Sequence, residues 1–164
     1  MNRYKNYIVE IITIIILILI DLWTKTLAAS KLIESDVVLI PGVLEFHYLE
    51  NIGAAFSMLS GKMIVFYIIT PVFLAVITYI MIKMPGEKLY FPIRTCLIFL
   101  VAGALGNFYD RVVLHYVRDF IYFSLIDFPV FNVADIYVTV SIFFLIILIL
   151  FKYKDEDFSF FSKK

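Results

Sequence analysis

Apolar residues in this chain fall into four long blocks, about Ile8–Leu22, Met63–Ile82, Ile93–Phe108 and Val133–Phe151. A bilayer core of about 30 Å takes about 20 apolar residues to cross as a helix. The second and fourth blocks meet that length. The first and third meet it only with their polar ends, which gives spans of about 8–28, 63–83, 92–110 and 132–152. Lipid offers no partner to a free N–H or C=O, so each span is predicted to be helical. Two longer connections remain, about 29–62 and 111–131. In the first, Pro41-Gly42 marks a turn. Leu44, Phe46 and Tyr48 then alternate with Glu45 and His47, the period of a strand. In the second, Tyr116 to Phe123 is aromatic and β-branched and also reads as extended. The predicted fold class is therefore an all-α membrane protein. It is a four-transmembrane-helix bundle with a small β-sheet or cradle on the extracytoplasmic side, and residues 1–164 form a single integral membrane domain.

Composition supports this and excludes much else. Of 164 residues 63% are hydrophobic, and the mean hydropathy is +0.97. A soluble domain carries roughly 45–50% apolar residues, and one core of this size cannot hide so much more. With 14 basic and 14 acidic residues the formal net charge is zero, so there is no basic footprint for nucleic acid. Cys96 is the only cysteine, which excludes a disulfide framework and a cysteine-based metal site. Arg3 and Lys5 before the first block resemble the start of a cleavable signal peptide. Three further spans, together with Asp21 and Lys25 at the end of the block, argue against cleavage. Nine Lys and Arg residues fall at the termini and between the second and third spans, and five on the other side. The positive-inside rule then puts both termini in the cytoplasm of a multi-pass protein.

Charges at membrane depth are costly and mark function by default. Asp21 and Lys25 end the first span, Asn107, Asp110 and Arg111 the third, and Asn132 and Asp135 begin the fourth. Asp119 lies between the third and fourth. The order of spans brings all of them to one end of the bundle, and nothing similar is expected at the other. Asp21 and Lys25, spaced i,i+4, share a helix face and form a local ion pair; Lys25 can also snorkel to lipid phosphate. Asn107, Asp110 and Arg111 share a face and read as a polar cluster that locks the third helix. Asp119 and Asp135 admit two readings. They are either a proton-sharing acid and base in a low-dielectric site, or a solvated aspartate and a helix cap. Other chemistries fit worse. His47 and His115 supply a zinc site poorly. A Ser57–Lys62 or Ser57–Lys25 dyad has nothing to fix it. Ser60-Gly61-Lys62 lacks the spacing of a phosphate loop.

At these residues the chain resembles the bacterial lipoprotein signal peptidases (signal peptidase II, aspartyl peptidase family A8). The resemblance rests on Asp21-Leu22-Trp23-Thr24-Lys25, Asn51-Ile52-Gly53-Ala54-Ala55-Phe56-Ser57, Gly103 to Arg111, Val117-Arg118-Asp119-Phe120 and Phe131-Asn132-Val133-Ala134-Asp135. It implies an aspartic endopeptidase of the bacterial cytoplasmic (inner) membrane, acting near the extracytoplasmic face. That enzyme cuts prolipoproteins just N-terminal to a diacylglyceryl-modified cysteine. It implies Asp119 and Asp135 as the catalytic dyad. Asn51, Gly53, Asn107, Arg111 and Asn132 fall on supporting or substrate-binding positions, with Asp21, Lys25 and Asp110 on further motif positions. It also implies membrane lipid as a partner, peptide antibiotics of the globomycin type as inhibitors, a monomer, and no cofactor or metal. The chain departs from the common pattern at Leu22, Arg118 and Ile136. In a strand Arg118 points away from Asp119. The competing classes are a small transporter or proton relay using intramembrane carboxylates, and a membrane scaffold.

Overall fold

The computed structural model describes residues 3–53 and 63–161, with side chains from Tyr7 onward. Ala54, Ala55, Phe56 and Ser57 of the second motif, and Ser60-Gly61-Lys62, lie outside them. Four helices are long and apolar enough to cross a membrane: α1 (Arg3–Lys31), α2 (Met63–Lys83), α3 (Phe91–Leu114) and α4 (Val133–Phe151). Helix α1 begins before its apolar block and runs past it, and α3 runs past its polar end, so Arg111 to Leu114 belong to a helix rather than a loop. The strands are β1 (Val37–Ile40), β2 (Leu44–Asn51) and β3 (Val117–Tyr122), antiparallel in the order β1-β2-β3. The β1–β2 turn holds Gly42 at φ 68°, a backbone that glycine adopts without cost.

The third helix is the axis of the bundle. It packs against α1, α2 and α4. In its most apolar stretch 61% of residues are buried, against 6–11% in the other three spans, whose apolar faces turn outward to lipid. Small residues make this possible. A methyl group added at Gly103 would stand 2.5 Å from the Ala134 carbonyl oxygen and 2.8 Å from Val138, and one added at Gly106 would collide with the Asp21 carboxylate. In lipid, where the apolar surroundings give helices no reason to associate, such close approach supplies the packing.

The two ends of the bundle differ. At one end the sheet closes over the helices through Phe46, Tyr48 and Phe120, packed with Ala28 and Leu32. These even-numbered β2 residues face inward, as the period of two predicts. At the opposite end the expectation that no similar group of buried charges gathers is overturned. Arg94, a residue of α3, is 7% exposed and forms a two-pronged ion pair with Glu10 of α1, at 2.6 and 2.8 Å. It also donates to the carbonyls of Met81 and Met84 at 3.1 and 3.3 Å, where α2 runs out of N–H partners. Glu10 is the one acidic residue of the first apolar block that lies away from its polar end. An ionised side chain so deep in lipid needs a partner, and that signal was available in the sequence. Beside this pair Tyr90 stacks on Tyr153 and meets Phe160 edge-on, which seats the charged, aromatic tail against the bundle.

We expect Gly106→Ala to lower stability by about 1–3 kcal/mol, the usual cost of overpacking, because the clash falls on a fixed helix and a buried carboxylate. Thermal unfolding of the detergent-solubilised protein tests this. A melting temperature equal to the parent's would contradict the tight α1–α3 contact.

Candidate active site

Nine of the ten predicted site residues converge at the sheet-covered end through their side chains, and the network begins with Lys25. Its side chain is fully buried, 2.8 Å from Asp21, 3.6 Å from Asp110 and 2.8 Å from the Asn107 Oδ1 that it donates to. The i,i+4 ion pair with Asp21 is present as predicted. The snorkelling alternative is not: Lys25 points into the bundle, because two buried carboxylates need its charge more than lipid phosphate does. Asp21 in turn accepts from the backbone N–H of Ala134 at 2.9 Å and so ties α1 to the start of α4. Asp110 receives the guanidinium of Arg118, with Nη2 donating at 2.7 Å and Nε at 3.1 Å, and the Arg118 backbone N–H as well. Arg118 therefore lies on the opposite side of β3 from Asp119, as strand alternation requires.

Asn107 passes this order to the carboxylates. Its Oδ1 accepts from Lys25 and from Asn132 Nδ2 (3.0 Å), and its Nδ2 donates to Asp135 Oδ1 at 2.8 Å. Asn132 Nδ2 also donates to Asp119 Oδ1 at 2.6 Å. Two hydrogen-bonded amides, Asn132 on Asp119 and Asn107 on Asp135, thus link the two acids. Asn51 Nδ2 holds the other Asp119 oxygen at 2.8 Å, and its own Oδ1 accepts from Gly53 N–H at 2.9 Å. The cap reading of Asp135 is correct as far as it goes. Asn132 and Asp135 form a capping box on α4, Asn132 Oδ1 taking the Asp135 N–H and Asp135 Oδ2 taking the Asn132 N–H. The cap leaves Asp135 facing the same cavity as Asp119, so the two readings hold together. The solvated reading of Asp119 does not hold, for it is 1% exposed.

Burial first, and the nearby Asp135 charge second, push the Asp119 carboxyl up to about 7, while the amides of Asn51 and Asn132 pull the other way. One of the two acids therefore keeps a proton close to neutrality, the condition for acid and base to work side by side.

A cavity of about 360 Å³ opens onto both carboxylates. Polar groups of Asn51, Asn107 and Arg111 reach it on one side. Phe128 to Phe131 and the α4 residues Ile136, Thr139 and Val140 form the apolar remainder. Arg111 donates to the Gly53 carbonyl at 3.1 Å, and its guanidinium lies 4.2 Å from the Phe66 ring centre. Its Nε has no acceptor among the described residues. Gly53 contributes backbone atoms alone. The Phe128–Val130 wall and the α4 face were not predicted. Their residues look like any lipid-facing apolar run until the β3–α4 connection folds over them, through Phe131 bridging Ile121.

Residues 13–151 match the family model described as signal peptidase (SPase) II. The chain belongs to the signal peptidase II family. Among its relatives, the lipoprotein signal peptidase of Enterococcus faecalis is 42% identical over 121 residues, which cover 73% of this chain and 74% of that one. The lipoprotein signal peptidase of Streptococcus thermophilus strain CNRZ 1066 is 39% identical over 147 residues, 89% and 93% of the two chains. A bacterial membrane enzyme solved by the in meso method at 2.3 Å superposes with a TM-score of 0.79 at 35% identity, covering 90% of this chain and 92% of that one. The expected family and the helical bundle with its small sheet are thereby established, and the chain is a multi-pass membrane protein of aspartic-peptidase type.

Asn107 joins the Lys25 cluster to both acids, so Asn107→Ala should reduce turnover by about 10²-fold or more, the scale of lost positioning. Turnover and melting temperature measured on one preparation test this. Activity within a few-fold of the parent would show that the amide only packs.

Proposed function

We propose that this protein is a membrane aspartic endopeptidase that removes the signal peptide of prolipoproteins on the N-terminal side of a diacylglyceryl-modified cysteine. One observation carries the reading: Asp119 and Asp135 border one cavity and are linked by the paired amides of Asn132 and Asn107. Family membership supplies the reaction class. The sheet-covered end faces the extracytoplasmic side of the bacterial cytoplasmic membrane, in keeping with nine Lys and Arg residues at the opposite end and connections. Both termini are then cytoplasmic.

The chemistry follows from the two environments. Asp119, whose carboxyl is held up near 7, carries the proton. Asp135, in the first turn of α4 where N–H groups point outward, is placed to carry the charge. The Asp135 carboxylate takes a proton from water, and that oxygen bonds to the scissile carbonyl carbon as Asp119 gives its proton to the carbonyl oxygen. In the second step Asp135 returns its proton to the amide nitrogen. The C–N bond breaks, and Asp119 recovers a proton from the collapsing diol. The products are the carboxylic acid end of the signal peptide, which then ionises to water, and the free amine of the cysteine, and both acids are back at their starting states. The free Nε of Arg111 is available to a substrate carbonyl. The apolar α4 wall suits the signal helix and lipid chains arriving sideways from the bilayer. A peptide antibiotic of the globomycin type would compete for the same cavity, and a monomer is complete for this chemistry. The transporter alternative finds no support, because α3 carries no charged residue between Arg94 and Asn107.

Asp119→Asn and Asp135→Asn should each reduce cleavage of a diacylglyceryl-modified precursor by about 10²–10⁴-fold or more while the protein stays inserted and folded. Near-normal turnover by either purified variant would refute the dyad. The pH dependence has a fixed sign. The native Asp119 carboxyl binds its proton more tightly than the unfolded one, whose usual value is 3.8. Stability from this group is full below about 4 and is lost as pH rises through about 7. Cleavage should likewise fall above about pH 7 as the acid loses its proton. Melting curves of the parent and Asp119→Asn between pH 4 and 8 test the first statement. Equal slopes in that window would contradict it.

A further inference from the structure

The catalytic cavity has an outward continuation. A second cavity of about 700 Å³ lies over the exposed face of the sheet and shares Asn51 and the Phe128–Val130 wall with the first. Its floor is one face of β2. Glu45, His47, Leu49 and Asn51 follow at every second residue, as strand geometry dictates, and all four line it. Asn51 is the residue whose amide holds Asp119. This face of the strand therefore leads straight from the catalytic carboxylate to the far end of the groove. Asp36, paired with His47 at 2.9 Å, and Asp127, accepting from the Tyr122 hydroxyl at 2.7 Å, form its sides. Among the described residues no Lys or Arg lines it. Among the described residues none forms an ion pair with Glu45.

A protease must house the chain on both sides of the bond it cuts. The first cavity, with its apolar α4 wall, suits the signal-peptide side and lipid. The second is more polar than the first and carries three acidic residues, so it suits a segment that leaves hydrocarbon. We propose that this groove is the subsite for the polypeptide that follows the cysteine, and that its acidic lining favours basic residues there. The proposal rests on the catalytic reading above. It also assigns a distance. Glu45 is six residues from Asn51, roughly 20 Å along a strand at about 3.3 Å per residue. An extended substrate reaches the acidic end about four to six residues beyond the cysteine. The first two residues, beside Asn51 and Leu49, meet no charge.

The test uses the purified full-length enzyme and a set of lipidated precursors that differ only by a single Lys or Glu at each of the six positions after the cysteine, with an all-neutral control. The expected ratio of kcat/KM, Lys over Glu, is about three- to tenfold at the fourth to sixth positions and near one at the first two. The difference should lie in KM and shrink as salt rises, since exposed charges are screened within about 10 Å at 0.1 M. In the Glu45→Gln/Asp127→Asn double variant the ratio should collapse toward one. A ratio near one at every position would overturn the proposal, and so would a ratio unchanged in the double variant. If the neutral control is not cut at all, the catalytic reading fails and this one falls with it. A neutral control that is cut without charge preference removes the subsite alone.

Discussion

A lysine charge held in the interior of a membrane bundle organises this protein. Lys25 is surrounded by Asp21, Asp110 and Asn107 and has no access to water. Removing one member of such a set leaves an uncompensated ion in low dielectric, which costs several kcal/mol. The helices can therefore associate in only one register, the one that brings α1 and α3 together at Gly106. Everything nearer the cavity inherits that register, from the Asn107 amide to the Asp135 carboxylate and the first turn of α4.

The same logic explains why polarity is concentrated at the ends of α3. This helix is the buried one, and it alone meets all three others. At the sheet end it carries the residues that order the cavity. At the other end Arg94 secures the last carbonyls of α2 and the Glu10 carboxylate. The uncharged stretch between them sets Gly103 and Gly106 where the neighbours approach. Rigidity at both ends and close packing in the middle leave the sheet and the β3–α4 connection to shape the space the substrate enters.

Much of this was readable in the residues. Span number, the β2 alternation and the gathering of polar groups at one end follow from hydropathy and order alone. Asp21 and Lys25 declared themselves by their spacing, and Arg118 by its position next to Asp119 in a strand. What could not be read depends on distant contacts. That Lys25 turns inward depends on Asp110 and Asn107 of α3 as well as on Asp21, and no local rule contains those α3 partners. The Phe128–Val130 wall reads as an ordinary apolar turn until Phe131 bridges β3. Glu10 is a different case. It lies deep in an apolar block, and its partner Arg94 falls inside the third span although it is counted among the basic residues that connect the second and third spans. The pairing of Asp119 with Asp135 came from motif resemblance more than from spacing, since a capping aspartate and a reactive one look the same in sequence.

That ambiguity has a consequence of its own. Asp135 closes the capping box of α4 with one oxygen and takes the Asn107 amide with the other. The group that would take part in bond breaking is also the one that tells a membrane helix where to begin. Its aim is set to the tolerance of a helical turn, which is far finer than a loop can hold. An ancestral helix start of this kind needs only one acidic neighbour across a gap to become reactive, so a structural motif and a catalytic one differ here by the company they keep.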